Sequence, residues 1–153
     1  MNTLFGLPKF WMILFGLAGI VLGRAVGPQL PGWLNGAGWL VAALGLGLVI
    51  WAGMVMRANR TTVMPGRSPD ALVSGGPFRL SRNPIYLGDA LILGGLMIAL
   101  DAPVGLVAVP AFIWLVNRRF IPAEEAMLQA AFGADYDLYR SRVGRWLSFG
   151  RTG

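Results

Sequence analysis

The run from Pro31 to Met56 contains no charged side chain. A helix rising 1.5 Å per residue needs about 20 residues to cross about 30 Å of hydrocarbon, so this run is long enough to span a bilayer. Trp33, Trp39 and Trp51 suit either the interfacial zones or helix packing. Gly36, Gly38, Ala42, Gly45, Gly47 and Gly53 allow backbones to approach closely in lipid, within one chain or across a dimer. Gly45-Leu-Gly47 has no strand–turn–helix context, so it reads as packing and not as a dinucleotide fingerprint.

The rest of the chain follows the same pattern. Of its 153 residues 56% are hydrophobic, and mean hydropathy is +0.62, well outside the soluble range. Phe10 to Val26 is a shorter span in which Arg24 snorkels outward. A secretory signal competes for this N-terminus, but Lys9 is the only charge before the run and no clear Ala-x-Ala site follows, which favours a retained helix. Ile85 to Leu100 and Ala102 to Val116 form a helical hairpin, with Asp101 placed to cap and Pro103 in the first turn of the next helix. The expected fold is an all-α integral membrane protein of about four transmembrane helices with a C-terminal cytosolic or interfacial helical segment. One domain is expected over 1–153: two helices in 1–57, a cytosolic loop over 58–84, the hairpin over 85–117 and a helical tail over 118–153.

Charge and missing residue types narrow the chemistry. The formal charge is +6, with basic residues clustered from Arg57 to Arg82 and from Arg118 to Arg151, beside the ends of apolar runs. That placement suits anionic headgroups and argues against nucleic acid. The positive-inside rule makes both clusters cytoplasmic, and four spans then leave both termini on that side of a cytoplasmic membrane. The sequence has no cysteine and no histidine. Disulfides, thiol nucleophiles, imidazole acid–base chemistry and the common zinc ligands are thereby removed, and no metal site is expected.

After Pro122 the pattern becomes that of a soluble helix with Glu124 and Glu125 in its first turn and a stop at Phe132-Gly133. Asp135 is placed to cap a second helix. Tyr136, Tyr139, Trp146 and Phe149, interleaved with Arg140, Arg142 and Arg145, suit the headgroup layer.

The candidate functional residues lie where polar segments meet these apolar runs. In Ser81-Arg82-Asn83-Pro84 the proline biases Asn83 out of the helical region and starts a helix, whose positive end with Arg82 attracts a carboxylate or phosphate. A plain cytoplasmic loop with a proline-led helix fits equally. Glu124 and Glu125 complement a helix dipole, or hold a cation; next to Arg82 they match a zwitterion such as an amino acid moiety, and a glutamate also suits adenosine hydroxyls. Asp89 is either a base for an amine acceptor or a solvated helix-end acid, as Glu125 is also available for the base role. Tyr86 reads as a pocket wall with a hydroxyl handle and Gly88 as a place of close approach, although packing explains both.

Leu72-Val73, Gly76-Pro77-Phe78, Arg82-Asn83-Pro84-x-Tyr86-x-Gly88, Glu124-Glu125 and Phe132-Gly133-x-x-Tyr136-x-x-Tyr139 with Val143 together resemble the C-terminal signature of the isoprenylcysteine carboxyl methyltransferase and phospholipid methyltransferase superfamily. The likeness covers about the last ninety residues, and the conjunction of these motifs in order is far more specific than any one of them. It implies an integral-membrane enzyme that takes S-adenosylmethionine at the cytosolic face and a lipid or lipophilic acceptor from the bilayer. By position it implies cofactor contacts at Asp70, Ala71, Leu72, Val73, Phe78, Asn83, Pro84, Ile85, Tyr86, Gly88 and Glu124, with Arg82 and Glu125 in the same motifs. Relatives of the prenylcysteine type usually carry histidine at Asn83 and a substrate-binding arginine at Phe120. An NADPH-dependent membrane reductase and a non-catalytic lipid-binding subunit are the competing readings. Oligomeric state is left open.

Overall fold

The computed structural model describes residues 7–61 and 70–148. Arg67, Phe149 and Arg151, counted above, lie outside them. Among the described residues all regular structure is helical: α1 (Pro8–Val26), α2 (Gly32–Ala58), α3 (Pro84–Ala99), α4 (Ala108–Arg119) and α5 (Ile121–Arg142), with 3-10 turns at Gly76–Arg79 and Pro103–Val107. Prolines open α1 and α3, where a missing N–H costs nothing. The expected helix limits are met to within two residues for the first three helices. The fourth begins later, because Pro103–Val107 winds as a 3-10 turn before α4.

Burial is inverted relative to a soluble bundle. Leu14, Leu17, Val21 and Leu22 of α1, Trp39, Leu40, Leu44 and Ile50 of α2, and Trp114 of α4 all face outward. An apolar exterior of this extent is stable only against lipid or a partner. Three helical stretches among the described residues are long and apolar enough to cross a membrane: α1, α2 and the stretch Pro103–Arg142. The apolar part of the third ends near Arg118 and Arg119, and the acidic residues of α5 follow it. The third expected span, α3, has only 16 residues, but nine of them are buried. It is the central helix, sheltered by its neighbours.

Small residues set the α2–α3 contact. A Cβ at Gly95 would lie 2.5 Å from the Ala42 nitrogen and 2.7 Å from the Gly38 oxygen, and one at Gly38 would lie 2.4 Å from the Ala99 nitrogen. Gly38, Ala42 and Gly45 therefore pack within the chain. Nothing lies near Gly36, Gly47 or Gly53, so those glycines do not serve this contact. Gly19 and Gly23 of α1 similarly meet Met97 and the Ala102–Gly105 segment.

One expected cap is replaced by other contacts, and one expected stop takes the form of a kink. Asp101, in a turn with φ 54°, accepts the Leu30 N–H at 3.0 Å and the Asn35 amide at 3.4 Å, so it ties down the α1–α2 connection and does not cap the following helix. Gly133 takes φ 48° and ψ −118°, non-helical values that divide α5 into two helical segments, so the expected break at Phe132-Gly133 is present as a kink and a second helical segment follows it directly.

Candidate functional site

Two backbone clamps build the site. The turn over 80–83 is tied to the chain after α5: Arg82 N–H donates to the Gly144 oxygen at 2.9 Å and Ser148 N–H to the Leu80 oxygen at 2.9 Å. Ser81 Oγ and Asn83 Nδ2 both donate to the Arg145 oxygen, at 3.1 and 3.0 Å. Asn83 thus holds the tail with the amide that stands where imidazole was expected in relatives. Tyr139 donates its hydroxyl to the Phe78 oxygen at 2.7 Å, which locks the second half of α5 to the 3-10 turn at Gly76–Arg79.

These clamps enclose a cavity of about 510 Å³, within the range of small-molecule sites. Ala71, Leu72, Val73 and Phe78 line it from the loop, Arg82, Asn83, Pro84, Ile85, Tyr86 and Asp89 from the start of α3, and Glu124 and Glu125 from α5. Two residues singled out from the sequence stand elsewhere. Asp70 is exposed and off the cavity wall, and Gly88 packs against Val49 and the Gly45 oxygen of α2. Phe120 is buried, and neither it nor Arg118 nor Arg119 reaches the cavity.

The two glutamates are bound differently. Glu125 is the node of an ion-pair cluster: its Oε1 lies 3.0 Å from Arg82 Nη1, and Arg145 donates to both its oxygens, at 3.1 and 2.6 Å. Arg82 also donates to the Tyr136 hydroxyl at 2.9 Å, while its Nε is buried with no partner. Glu124 accepts the Tyr86 hydroxyl at 2.6 Å, and no ion pair to it is formed among the described residues. Burial pushes the Glu124 carboxyl up; the Tyr86 hydroxyl works against the rise and the neighbouring Glu125 charge adds to it. The arrangement offers an orphaned donor on Arg82 and a carboxylate without a cation on Glu124.

Several lining residues carried no sequence signal. Lys9 of α1 pairs with Asp89, eighty positions away. Val49, Gly53 and Met56 of α2 and Met127 and Leu128 of α5 add apolar wall, and Thr61 lines it with an unpartnered, buried Oγ1. Tyr136 and Tyr139 also line the cavity. A headgroup-layer assignment misses them because the kink at Gly133 turns that segment back onto the 70–83 loop.

The phospholipid methyltransferase family pattern matches residues 34–135, most of the chain, with nearly all of α2 and the whole of α3 and α4. This chain belongs to the phospholipid methyltransferase family. Its match also reaches Glu124, Glu125 and the Gly133 kink. A probable protein-S-isoprenylcysteine O-methyltransferase of Oryza sativa subsp. indica is 32% identical over 122 residues, 72% of this chain and 63% of that protein. Protein-S-isoprenylcysteine O-methyltransferase A of Arabidopsis thaliana is 30% identical over 122 residues, 72% of this chain and 61% of that protein. An uncharacterized Haemophilus influenzae protein is 35% identical over 63 residues, all of its own length. The family member described here thus spans under two-thirds of the length of its plant relatives.

Proposed function

We propose that this chain transfers a methyl group from S-adenosylmethionine to a lipophilic acceptor drawn from the membrane. The observation that carries the reading is one apolar cavity lined by Arg82, whose Nε has no acceptor, and by Glu124, whose carboxylate has no cation. Those groups complement the carboxylate and ammonium of an aminoacyl moiety, and Phe78, Val73 and Leu72 give an apolar surface for a base. When bound, the donor supplies an electrophilic methyl on a sulfonium.

The protein's part is positioning and exclusion of water. Arg82, fixed by Glu125 and Tyr136, orients the donor's carboxylate, and Glu124, fixed by Tyr86, holds its cationic or hydroxyl end. The walls from α2 and α5 keep the reacting atoms dry. The arginine-rich segments support a reading in which the cavity opens at the cytosolic face, with both termini on that side, so that a soluble donor and a lipid acceptor approach one cavity from different sides.

Calorimetry with S-adenosylhomocysteine on detergent-purified protein tests this directly. Saturable binding is expected, weakened about tenfold or more by Glu124→Gln, since a charge-assisted hydrogen bond contributes about 1.5–3 kcal/mol. Preferential binding of NADPH would replace the reading with a reductase, and binding of neither would leave a non-catalytic membrane protein.

A pH dependence follows from the raised Glu124 carboxyl. A ligand ammonium binds the ionised form, so affinity should fall as pH drops through a value above the ordinary carboxylate range. Near that pH, binding should release a proton, visible as a dependence of the apparent enthalpy on the buffer. Glu124→Gln should flatten both.

A further inference from the structure

The cavity has a second polar end that donor binding does not use. Asp89 is fully buried, lines the cavity, and pairs through Oδ1 with the Lys9 ammonium, while its Oδ2 has no hydrogen-bond partner. A buried carboxylate oxygen left unsatisfied calls for an explanation, because it carries the full cost of desolvation. Asp89 follows Tyr86 by three residues and so shares its helix face, and both line the cavity. Tyr86 is bonded to Glu124, so the Tyr86–Glu124 and Lys9–Asp89 pairs leave α3 one helical turn apart. Val49, Gly53, Met56 and Leu128 give the same cavity apolar wall, which suits a hydrocarbon chain.

We infer that Asp89 is the catalytic proton acceptor for a lipophilic acceptor whose nucleophilic nitrogen or oxygen carries a proton, and that the acceptor is not a carboxylate. The inference rests on the methyl-transfer reading and names the acceptor's chemistry. An ionised carboxylate already has a free lone pair, needs no base, and would be repelled by the Asp89 oxygen. An amine or hydroxyl presents its proton to that oxygen. In the transfer the nucleophile's lone pair forms the new bond to the methyl carbon, the carbon–sulfur bond breaks with its electron pair retained by sulfur, and the nucleophile's proton passes to Asp89 Oδ2. Lys9, half exposed, holds the other oxygen and keeps the carboxylate aimed inward.

The test uses vesicle-reconstituted protein, radiolabelled-methyl S-adenosylmethionine and three probes: a long-chain amine, a long-chain hydroquinone and S-farnesylcysteine as the carboxylate. Label is expected on the amine or the hydroquinone. Asp89→Asn should lower kcat/KM at least a hundredfold, Asp89→Glu should recover part of it, and S-adenosylhomocysteine affinity should stay within twofold in both. Direct calorimetric binding of the accepted probe should weaken about tenfold in Asp89→Asn. Label on the farnesylcysteine carboxylate, an undiminished rate in Asp89→Asn, or no label on any probe by protein that binds S-adenosylhomocysteine would each overturn the inference and leave the donor reading standing. Failure of the wild type to bind S-adenosylhomocysteine would instead overturn the donor reading and this one with it.

Discussion

Glu125→Ala is expected to lower the thermal midpoint in detergent far more than Glu124→Ala, although the residues are adjacent and both line the cavity. Glu125 stands between two guanidinium groups, Arg82 and Arg145, and is the shared partner of both. Removing it leaves Arg82, whose side chain is only 14% exposed, without its carboxylate and close to a second cation. Breaking a buried pair by deleting one partner typically costs about 3–5 kcal/mol, since the remaining charge stays desolvated. The more exposed Arg145 can turn to water, which puts the expected loss near the lower end of that range. The loss spreads further, because the Arg145 carbonyl is the acceptor for Ser81 and Asn83 and the tail is thereby held against the α3 start. Glu124→Ala removes only the Tyr86 bond from a carboxyl that burial already disfavours, at about 1 kcal/mol or less. Both variants should lose S-adenosylhomocysteine binding, but only Glu125→Ala should unfold early. Equal midpoints for the two would mean that the Arg82–Glu125–Arg145 cluster does not hold the tail.

That contrast marks the boundary of what the sequence conveys. The helix start at Pro84 was legible because proline's fixed φ and missing N–H act on its own turn. The Phe132-Gly133 break was legible in the same way, through a glycine that alone adopts positive φ without strain. The Glu124–Glu125 pair and the Arg82 turn were visible as polar residues beside apolar runs. Their division of labour was not, because it depends on Arg145, which reads in sequence as one of several headgroup arginines. The Lys9–Asp89 pair was equally hidden, since nothing local to either residue signals a partner eighty positions away. Asp101 shows the same limit from the other side: the local pattern suggests a cap, and contacts to Leu30 and Asn35 prevail.

Gly95→Val is expected to leave little folded protein, whereas Gly47→Ala, about two and a half helical turns along α2 from the contact made by Gly38, should be neutral or slightly stabilising. At Gly95 any Cβ meets backbone on the facing helix, the Ala42 nitrogen and Cα and the Gly38 oxygen, all within 2.9 Å. Backbone cannot rotate away as a side-chain tip can, so α2 and α3 must move apart. Overpacking a core costs about 1–3 kcal/mol when side chains can adjust, and a clash with helix backbone lies at or beyond the top of that range. In lipid no hydrophobic gain between helices offsets it, because close packing is itself the main attraction. Gly47 has nothing within 4 Å, and alanine there gains up to about 1 kcal/mol of helix propensity. The consequence extends to the cavity, since Val49, Gly53 and Met56 of α2 and Tyr86 and Asp89 of α3 line it together. Gly95→Ala, the milder change, should therefore retain a folded fraction in which S-adenosylhomocysteine still binds at the Arg82–Glu124 end while acceptor methylation falls. If Gly95→Ala instead kept full transfer activity and an unchanged thermal midpoint, close α2–α3 contact would not be what sets the width of the site.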